Sequence, residues 1–134
     1  MSAAFHLSLA ARRQLESEAR AAFPRECCGL IEGRHGAIEI LHPVQNLSTR
    51  RDRFEIDPKE QFRLLKETRA RGTDIIGCYH SHPNGKPEPS ITDSAGAGED
   101  NFLWLIVALT GLQSPVTIEA FVFGRGKFQA AKLG

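Results

Sequence analysis

The chain has 134 residues, of which 41% are hydrophobic and 25% charged, as in an ordinary globular protein. Its 17 basic and 16 acidic side chains leave a net charge of +1, which offers no overall attraction to nucleic acid or membrane surfaces. We therefore expect one domain spanning residues 1–134, with no nucleic-acid partner and no membrane partner.

The three cysteines, Cys27, Cys28 and Cys78, form neither a C-x-x-C pair nor an even-numbered disulfide framework. The N-terminal segment has no basic region ahead of a long apolar run, so it does not resemble a signal peptide. The apolar stretch 102–109 is too short to span a bilayer. Reduced thiols and a cytoplasmic location are therefore expected.

The first half of the chain predicts one helix followed by short strands. Ser8 can cap a helix that runs to about Phe23, where Pro24 ends it. The segments that follow alternate between extended and turn-forming sequence: a buried strand at 27–31, a turn at 33–36, a second hairpin strand at 37–41, a loop at 42–47 and a strand at 53–56.

A second helix is predicted after Asp57, because an N-cap aspartate, Pro58 and Glu60 form a typical helix start, and Gly72 is a suitable end. The remaining predicted elements are a strand at 74–82, a short helix at 93–99, and strands at 102–109, 116–123 and 127–131. This pattern predicts an α/β fold with a single mixed β-sheet flanked by helices.

Two histidines at the end of the predicted strand 74–82 indicate a metal site. Because side chains alternate along a strand, His80 and His82 project from the same face. Asp93 lies beyond a proline-rich loop that can fold its carboxylate back towards them. Two histidines and one carboxylate leave a coordination position for water, which is typical of a catalytic zinc site. One zinc ion per chain is therefore expected.

Ser90, three residues before Asp93, has two interpretations. Its hydroxyl could donate a hydrogen bond to a carbonyl oxygen as negative charge develops there. It could equally cap the short helix that follows the loop. Serine's preference for N-cap positions favours the cap when Ser90 is taken alone, whereas the neighbouring histidines and Asp93 favour the oxyanion donor.

The segment from His80 to Asp93 resembles the JAMM (MPN+) metalloprotease signature, in which His-Ser/Thr-His precedes seven residues, a serine, two residues and an aspartate. Three further segments resemble those around the family's active site: residues 24–31 its catalytic-glutamate segment, residues 53–58 the stretch before its central helix, and residues 77–80 its strand into the site. The resemblance covers residues 8–131 and is closest to compact prokaryotic members.

This resemblance implies a cytidine-deaminase-like JAB/MPN fold, with His80, His82 and Asp93 as zinc ligands. It makes Glu26 the general acid/base and Ser90 the oxyanion donor. It also implies a zinc-dependent metallopeptidase or isopeptidase that hydrolyses the bond after the C-terminal Gly-Gly of a ubiquitin-like or sulfur-carrier protein. The chain has no room for long substrate-gripping insertions, which favours a small carrier. The oligomeric state is left open, a homodimer included.

Two other functions stay open. Metal-free relatives serve as non-catalytic scaffold subunits, although a scaffold has no need for an intact ligand set. A non-haem iron oxygenase also uses two histidines and one carboxylate, but it does not call for Ser90 or Glu26. The segment 80–85 also resembles that of the RadC-type branch. The Glu26 segment and the near-neutral net charge favour the peptidase branch instead.

The remaining conspicuous residues are expected to be structural. We predict that Cys27, Cys28, Cys78 and Trp104 pack in the core, and that His6, His35, His42, Lys86, Glu88 and the basic cluster 50–53 are exposed.

Overall fold

The computed structural model describes residues 3–134, which form seven strands and three helices. The strands are β1 (Ala4–Phe5), β2 (Cys28–Arg34), β3 (Ala37–Val44), β4 (Asp74–His82), β5 (Phe102–Ala108), β6 (Thr117–Gly124) and β7 (Lys127–Leu133). The helices are α1 (Leu9–Ala22), α2 (Pro58–Arg71) and α3 (Ile91–Gly96). All strands belong to one sheet in the order β1-β7-β6-β5-β4-β2-β3. Within residues 3–134, no helix is long and apolar enough to cross a membrane.

Strand β4 lies inside the sheet, antiparallel to β2 and parallel to β5. Neighbouring residues of an inner strand face opposite sides of the sheet. Tyr79 accordingly belongs to the apolar cluster that includes Leu15 and Ala19 of α1. Cys78 belongs to a second cluster with Leu64 of α2. The sheet therefore has helices on both faces, as the α/β prediction required, and His80 lies on the α2 face.

Both long helices begin and end where the sequence predicts. The Ser8 side chain accepts a hydrogen bond from the backbone of Ala11, and the Asp57 side chain accepts one from Lys59. Gly72 ends α2 in the left-handed conformation, with φ of 74°, which glycine adopts without a steric penalty. The buried residues of α2 are Leu64 and Thr68.

Several predicted boundaries are wrong. Strand β3 continues through 42–44, which we expected to be a loop, because its residues pair with β2 as far as Val44. The segment 53–56 is not a strand; in the described part of the chain it makes one isolated β-bridge, between Ile56 and Asn46. Helix α3 begins at Ile91 instead of Asp93, since Ser90 caps it. The turn between β2 and β3 is confined to residues 35–36, and the short strand β1 has no counterpart among the predictions.

Most predictions for the structural residues are confirmed. Cys28, Cys78 and Trp104 are buried, Cys27 is half-buried, and His6, His35, Lys86, Glu88 and residues 50–53 are exposed. The prediction for His42 is wrong: it is half-buried and its Nε2 lies 2.7 Å from a carboxylate oxygen of the buried Glu32.

Candidate metal centre

Three predicted ligands converge at the end of β4. The Nε2 atoms of His80 and His82 lie 2.9 Å apart, and each lies 3.1 Å from the Asp93 carboxylate. All three side chains are buried. Two nitrogens bound to one zinc ion at tetrahedral angles would be about 3.3 Å apart. The ligand atoms therefore already have nearly the spacing that a single zinc ion requires.

The hydrogen bonds of His82 also fit a cation. Its Nδ1–H donates to the carbonyl of Lys86 over 2.8 Å, which leaves Nε2 of the neutral ring with a lone pair. That lone pair faces the Asp93 carboxylate and the Nε2 atom of His80. In the forms that bind a metal, an ionised carboxylate and a neutral imidazole, both of these groups also present lone pairs. Acceptors so arranged repel one another unless a proton or a metal ion lies between them.

The directions of the pKa shifts of Asp93 and His80 agree with a ligand role, whereas His82 favours the charged imidazolium, from which a metal ion must displace the proton. Burial alone would raise the pKa of Asp93, but hydrogen bonds from His80 and His82 outweigh it and hold that pKa below its usual range. Burial lowers the pKa of His80, which favours the neutral imidazole. The pKa of His82 is raised because its bonds to Asp93 and to the Lys86 carbonyl outweigh its burial.

Asp93 reaches the histidines because a capping box fixes the first turn of α3. The Ser90 hydroxyl accepts a hydrogen bond from the Asp93 N–H over 3.0 Å, and the Asp93 carboxylate accepts one from the Ser90 N–H over 2.9 Å. Ser90 is thus an N-cap, the interpretation that the sequence left open. Because its oxygen acts as an acceptor in the cap, its own hydroxyl proton is still available to donate.

Glu26 is buried beside the ligands, with a carboxylate oxygen that lies within 4.8 Å of the ligand nitrogens of both histidines. Its Oε1 atom has no hydrogen-bond partner among residues 3–134. Burial, only partly offset by His82, raises the pKa of Glu26 to about 8. A ligand carboxylate must be ionised, so Asp93 suits metal binding and Glu26 suits proton transfer.

Two hydrogen bonds join the backbone next to Glu26 to the end of β4. The Cys27 N–H donates to the Ser81 hydroxyl over 2.8 Å, and the Ser81 N–H donates to the Cys27 carbonyl over 3.1 Å. The serine between the two histidines therefore holds the neighbouring strand in register with them.

A cavity of about 560 Å³ opens over this cluster, with Glu26, His82 and Ser90 in its wall. Pro24, Pro83 and Ile91 add apolar surface, and Ile91 is 91% exposed. Arg51, Asp52 and Asn84 also line the cavity, so its wall combines polar and apolar surface.

The cysteines provide no nucleophile here. Burial raises the pKa of Cys27 to about 11 and that of Cys28 to about 12, and it raises the pKa of Cys78 well above its usual range. All three therefore stay as neutral thiols at neutral pH.

The fold brings together every site residue that the sequence suggested. Sequence reasoning missed Phe54, which stacks on His80, and the Lys86 carbonyl, which orients His82. The sequence indicates only an exposed side chain at Lys86. Phe54 was recognised only as part of a family-like segment, and nothing in its local sequence indicated a contact with a histidine 26 positions away.

The fold and the site define a JAB/MPN-type domain, and comparison with known proteins agrees. The family model described as prokaryotic homologs of the JAB domain matches residues 8–123. The chain belongs to this family.

Individual relatives include a desampylase from Haloferax volcanii, 36% identical over 91 residues, and a desampylase from Pyrococcus furiosus, 30% identical over 82 residues. These matches cover 66% and 61% of this chain and span 66% and 59% of the two relatives, less than two thirds of either. The solution structure of a Desulfitobacterium hafniense protein superposes with a TM-score of 0.84 at 28% identity, covering 97% of this chain and 91% of that one.

Proposed function

We propose that this protein is a zinc-dependent peptidase or isopeptidase that hydrolyses the bond after the C-terminal Gly-Gly of a small ubiquitin-like or sulfur-carrier protein. The observation that carries the proposal is the buried Glu26 carboxyl group, whose Oε1 has no hydrogen-bond partner within residues 3–134, next to three converged side chains that can bind a metal. The similarity to two desampylases, whose name describes removal of an attached modifier, supports the class of substrate.

His80, His82 and Asp93 would hold the metal. Zinc bound there would supply Lewis acidity and a water molecule of lowered pKa, and its positive charge would lower the pKa of Glu26 towards neutrality. Neutral His80 and ionised Asp93 are the protonation states that such a site needs.

Glu26 is suited to move the proton. In its ionised form it accepts a proton from the attacking water, and in its protonated form it donates that proton to the leaving amine as the C–N bond breaks. The pKa of about 8 in the metal-free site and the free Oε1 atom suit a group that must exist in both forms near neutral pH.

Ser90 is suited to stabilise the carbonyl oxygen of the scissile bond. Its hydroxyl proton is not used in the helix cap, and its side chain lies in the wall of the same cavity as Glu26. Donation to the oxygen as it gains negative charge would lower the barrier.

An extended tail could reach the cavity along the sheet. Strand β3 is an edge strand beside β2, and β2 begins two residues after Glu26. An edge strand offers free backbone groups to a tail that pairs with it as an added strand. The exposed Ile91 offers an apolar contact for a side chain that precedes the two glycines.

The decisive experiment incubates the zinc-loaded protein with carrier proteins that end in Gly-Gly plus either a peptide extension or a lysine-linked partner. Mass spectrometry of the products identifies the bond that is cut and the leaving group. We expect a new C-terminal Gly-Gly with the wild type and none with Glu26→Gln. If both proteins cut equally well, or if neither extension is removed, the proposal is wrong. Elemental analysis of the purified protein distinguishes zinc from iron and from a metal-free scaffold.

A further inference from the structure

The two histidine ligands are oriented in different ways. His82 is fixed by the hydrogen bond from its Nδ1–H to the Lys86 carbonyl. His80 is fully buried, yet its Nδ1 atom has no hydrogen-bond partner among residues 3–134. Metal-binding histidines usually owe their ring orientation to such a bond, so another contact must hold the ring of His80.

That contact is aromatic. The ring of Phe54 stacks on His80 with 4.4 Å between centroids and 24° between planes. Trp104 meets His80 edge-on at 5.6 Å and 88°, and it also meets Phe54 at 5.9 Å. A half-turn of the imidazole would replace Nε2 by a carbon atom, and the ring must pass through the volume of Phe54 to make that turn.

Phe54 can hold His80 only if its own backbone is held, and Asn46 does this. Its Oδ1 accepts a hydrogen bond from the Glu55 N–H over 2.9 Å, and its Nδ2 donates to the Arg53 carbonyl over 3.2 Å. The same Nδ2 donates to the Glu26 carbonyl over 2.9 Å. Asn46 thus links the backbone on both sides of Phe54 to the backbone of Glu26.

We propose that Phe54 is a positioning residue that holds the His80 ring with Nε2 directed at the metal, in place of the usual hydrogen bond to Nδ1. The proposal rests on the metal site proposed above. Its consequence is specific: loss of the flat ring at position 54 weakens metal binding even where apolar volume is kept.

The test is zinc affinity, measured by competition with a chromophoric chelator, together with the visible absorption of the cobalt(II) form. We expect Phe54→Leu to bind zinc about tenfold or more weakly, the lower end of the range for residues that orient metal-bound histidines. Phe54→Tyr keeps the ring and should stay close to the wild type in both readouts.

Phe123→Leu is the matched control, because Phe123 lies in the same apolar cluster but meets Phe128 edge-on, at 5.0 Å and 66°, instead of a predicted ligand. Thermal unfolding of the metal-free variants shows whether each one folds, and Phe54→Met replaces Phe54→Leu if the latter does not. If Phe54→Leu binds zinc as tightly as the wild type, the positioning role is wrong but the metal site is not. The same holds if Phe123→Leu loses as much zinc affinity as Phe54→Leu. A wild type that binds no zinc would overturn the metal site as well.

Discussion

Two of the buried carboxylates, Glu32 and Glu26, have opposite surroundings. Glu32 of β2 accepts hydrogen bonds from Arg71, which contacts both of its oxygens, and from Thr73 and His42, at 2.6–3.1 Å. Glu26 is buried to a similar extent but leaves Oε1 without a partner in the described chain.

The two pKa values reflect this difference. The bonds from Arg71 outweigh burial and lower the pKa of Glu32 to about 2, whereas burial raises the pKa of Glu26 to about 8. A carboxylate whose hydrogen bonds are all made stabilises the fold as an anion. One whose bonds are missing costs stability and is free to exchange a proton, which is the behaviour expected at a functional site.

The comparison is tested most strongly by Glu26→Gln. We expect turnover to fall by about 10²–10⁴-fold, the usual contribution of a general acid/base. Zinc should remain bound, because the three proposed ligands are unchanged, and the free energy of unfolding should not fall, because Oε1 of Glu26 has no hydrogen bond to lose within the described residues. Steady-state kinetics, metal content and denaturant unfolding measure the three quantities. A stable variant with full turnover would remove Glu26 from the mechanism.

Ser90→Ala is expected to lower turnover by about 10²–10³-fold if the hydroxyl stabilises the oxyanion. It should also cost about 1 kcal/mol of stability through the lost cap. Ser90→Asn separates the two roles, since asparagine caps helices well but places its donor differently. Recovery of full turnover in Ser90→Asn would reduce Ser90 to a cap that positions Asp93.

At the other carboxylate, Glu32→Gln should lower the free energy of unfolding by about 2–3 kcal/mol, because it breaks charge-assisted hydrogen bonds to a buried group. Zinc affinity and turnover of the folded protein should stay unchanged. Glu39→Gln is the control, since its ion pair with Arg34 lies near the surface and should contribute less than about 1 kcal/mol. Urea unfolding of the metal-free proteins provides the values. A loss of activity without a loss of stability would contradict the structural role.

The smallest expected effect is a pH dependence of the difference in unfolding free energy between the wild type and Glu32→Gln. Because the pKa of Glu32 is lowered from 4.5 to about 2 in the folded state, its contribution to stability is complete above about pH 4.5 and is lost as the pH falls towards 2. The gap in unfolding free energy between the wild type and Glu32→Gln should narrow over this interval. A gap that stays constant from pH 7 to pH 3 would show that Glu32 is not held as an anion.

The placement of the proposed ligands was predictable from the sequence because it depends on local geometry. A period of two residues places His80 and His82 on one face wherever the strand pairs, and Ser90 and Asp93 are related by the spacing of a helix cap. The ends of the long helices were predictable for the same reason, since Ser8, Asp57 and Gly72 act within one turn.

The errors occurred where pairing partners decide the structure. Strand β3 extends to Val44 because β2 runs alongside it, and residues 53–56 remain a loop because, within residues 3–134, a single β-bridge, between Ile56 and Asn46, is all the strand pairing they have. His42 was expected to be exposed, but it is half-buried because its ring contacts the buried carboxylate of Glu32 on the neighbouring strand. None of these partners lies within the few residues that a local pattern can describe.

From its residues alone, this chain specifies an α/β sheet, a pair of imidazoles on one face and an aspartate at the start of a helix, since each follows from the repeat of a strand or a helix. Only the tertiary structure decides that Glu26 is buried with Oε1 unpartnered among residues 3–134, that both oxygens of Glu32 accept hydrogen bonds, and that Phe54 lies against His80. Desolvation and long-range contacts set these properties, and both depend on which segments the sheet brings together.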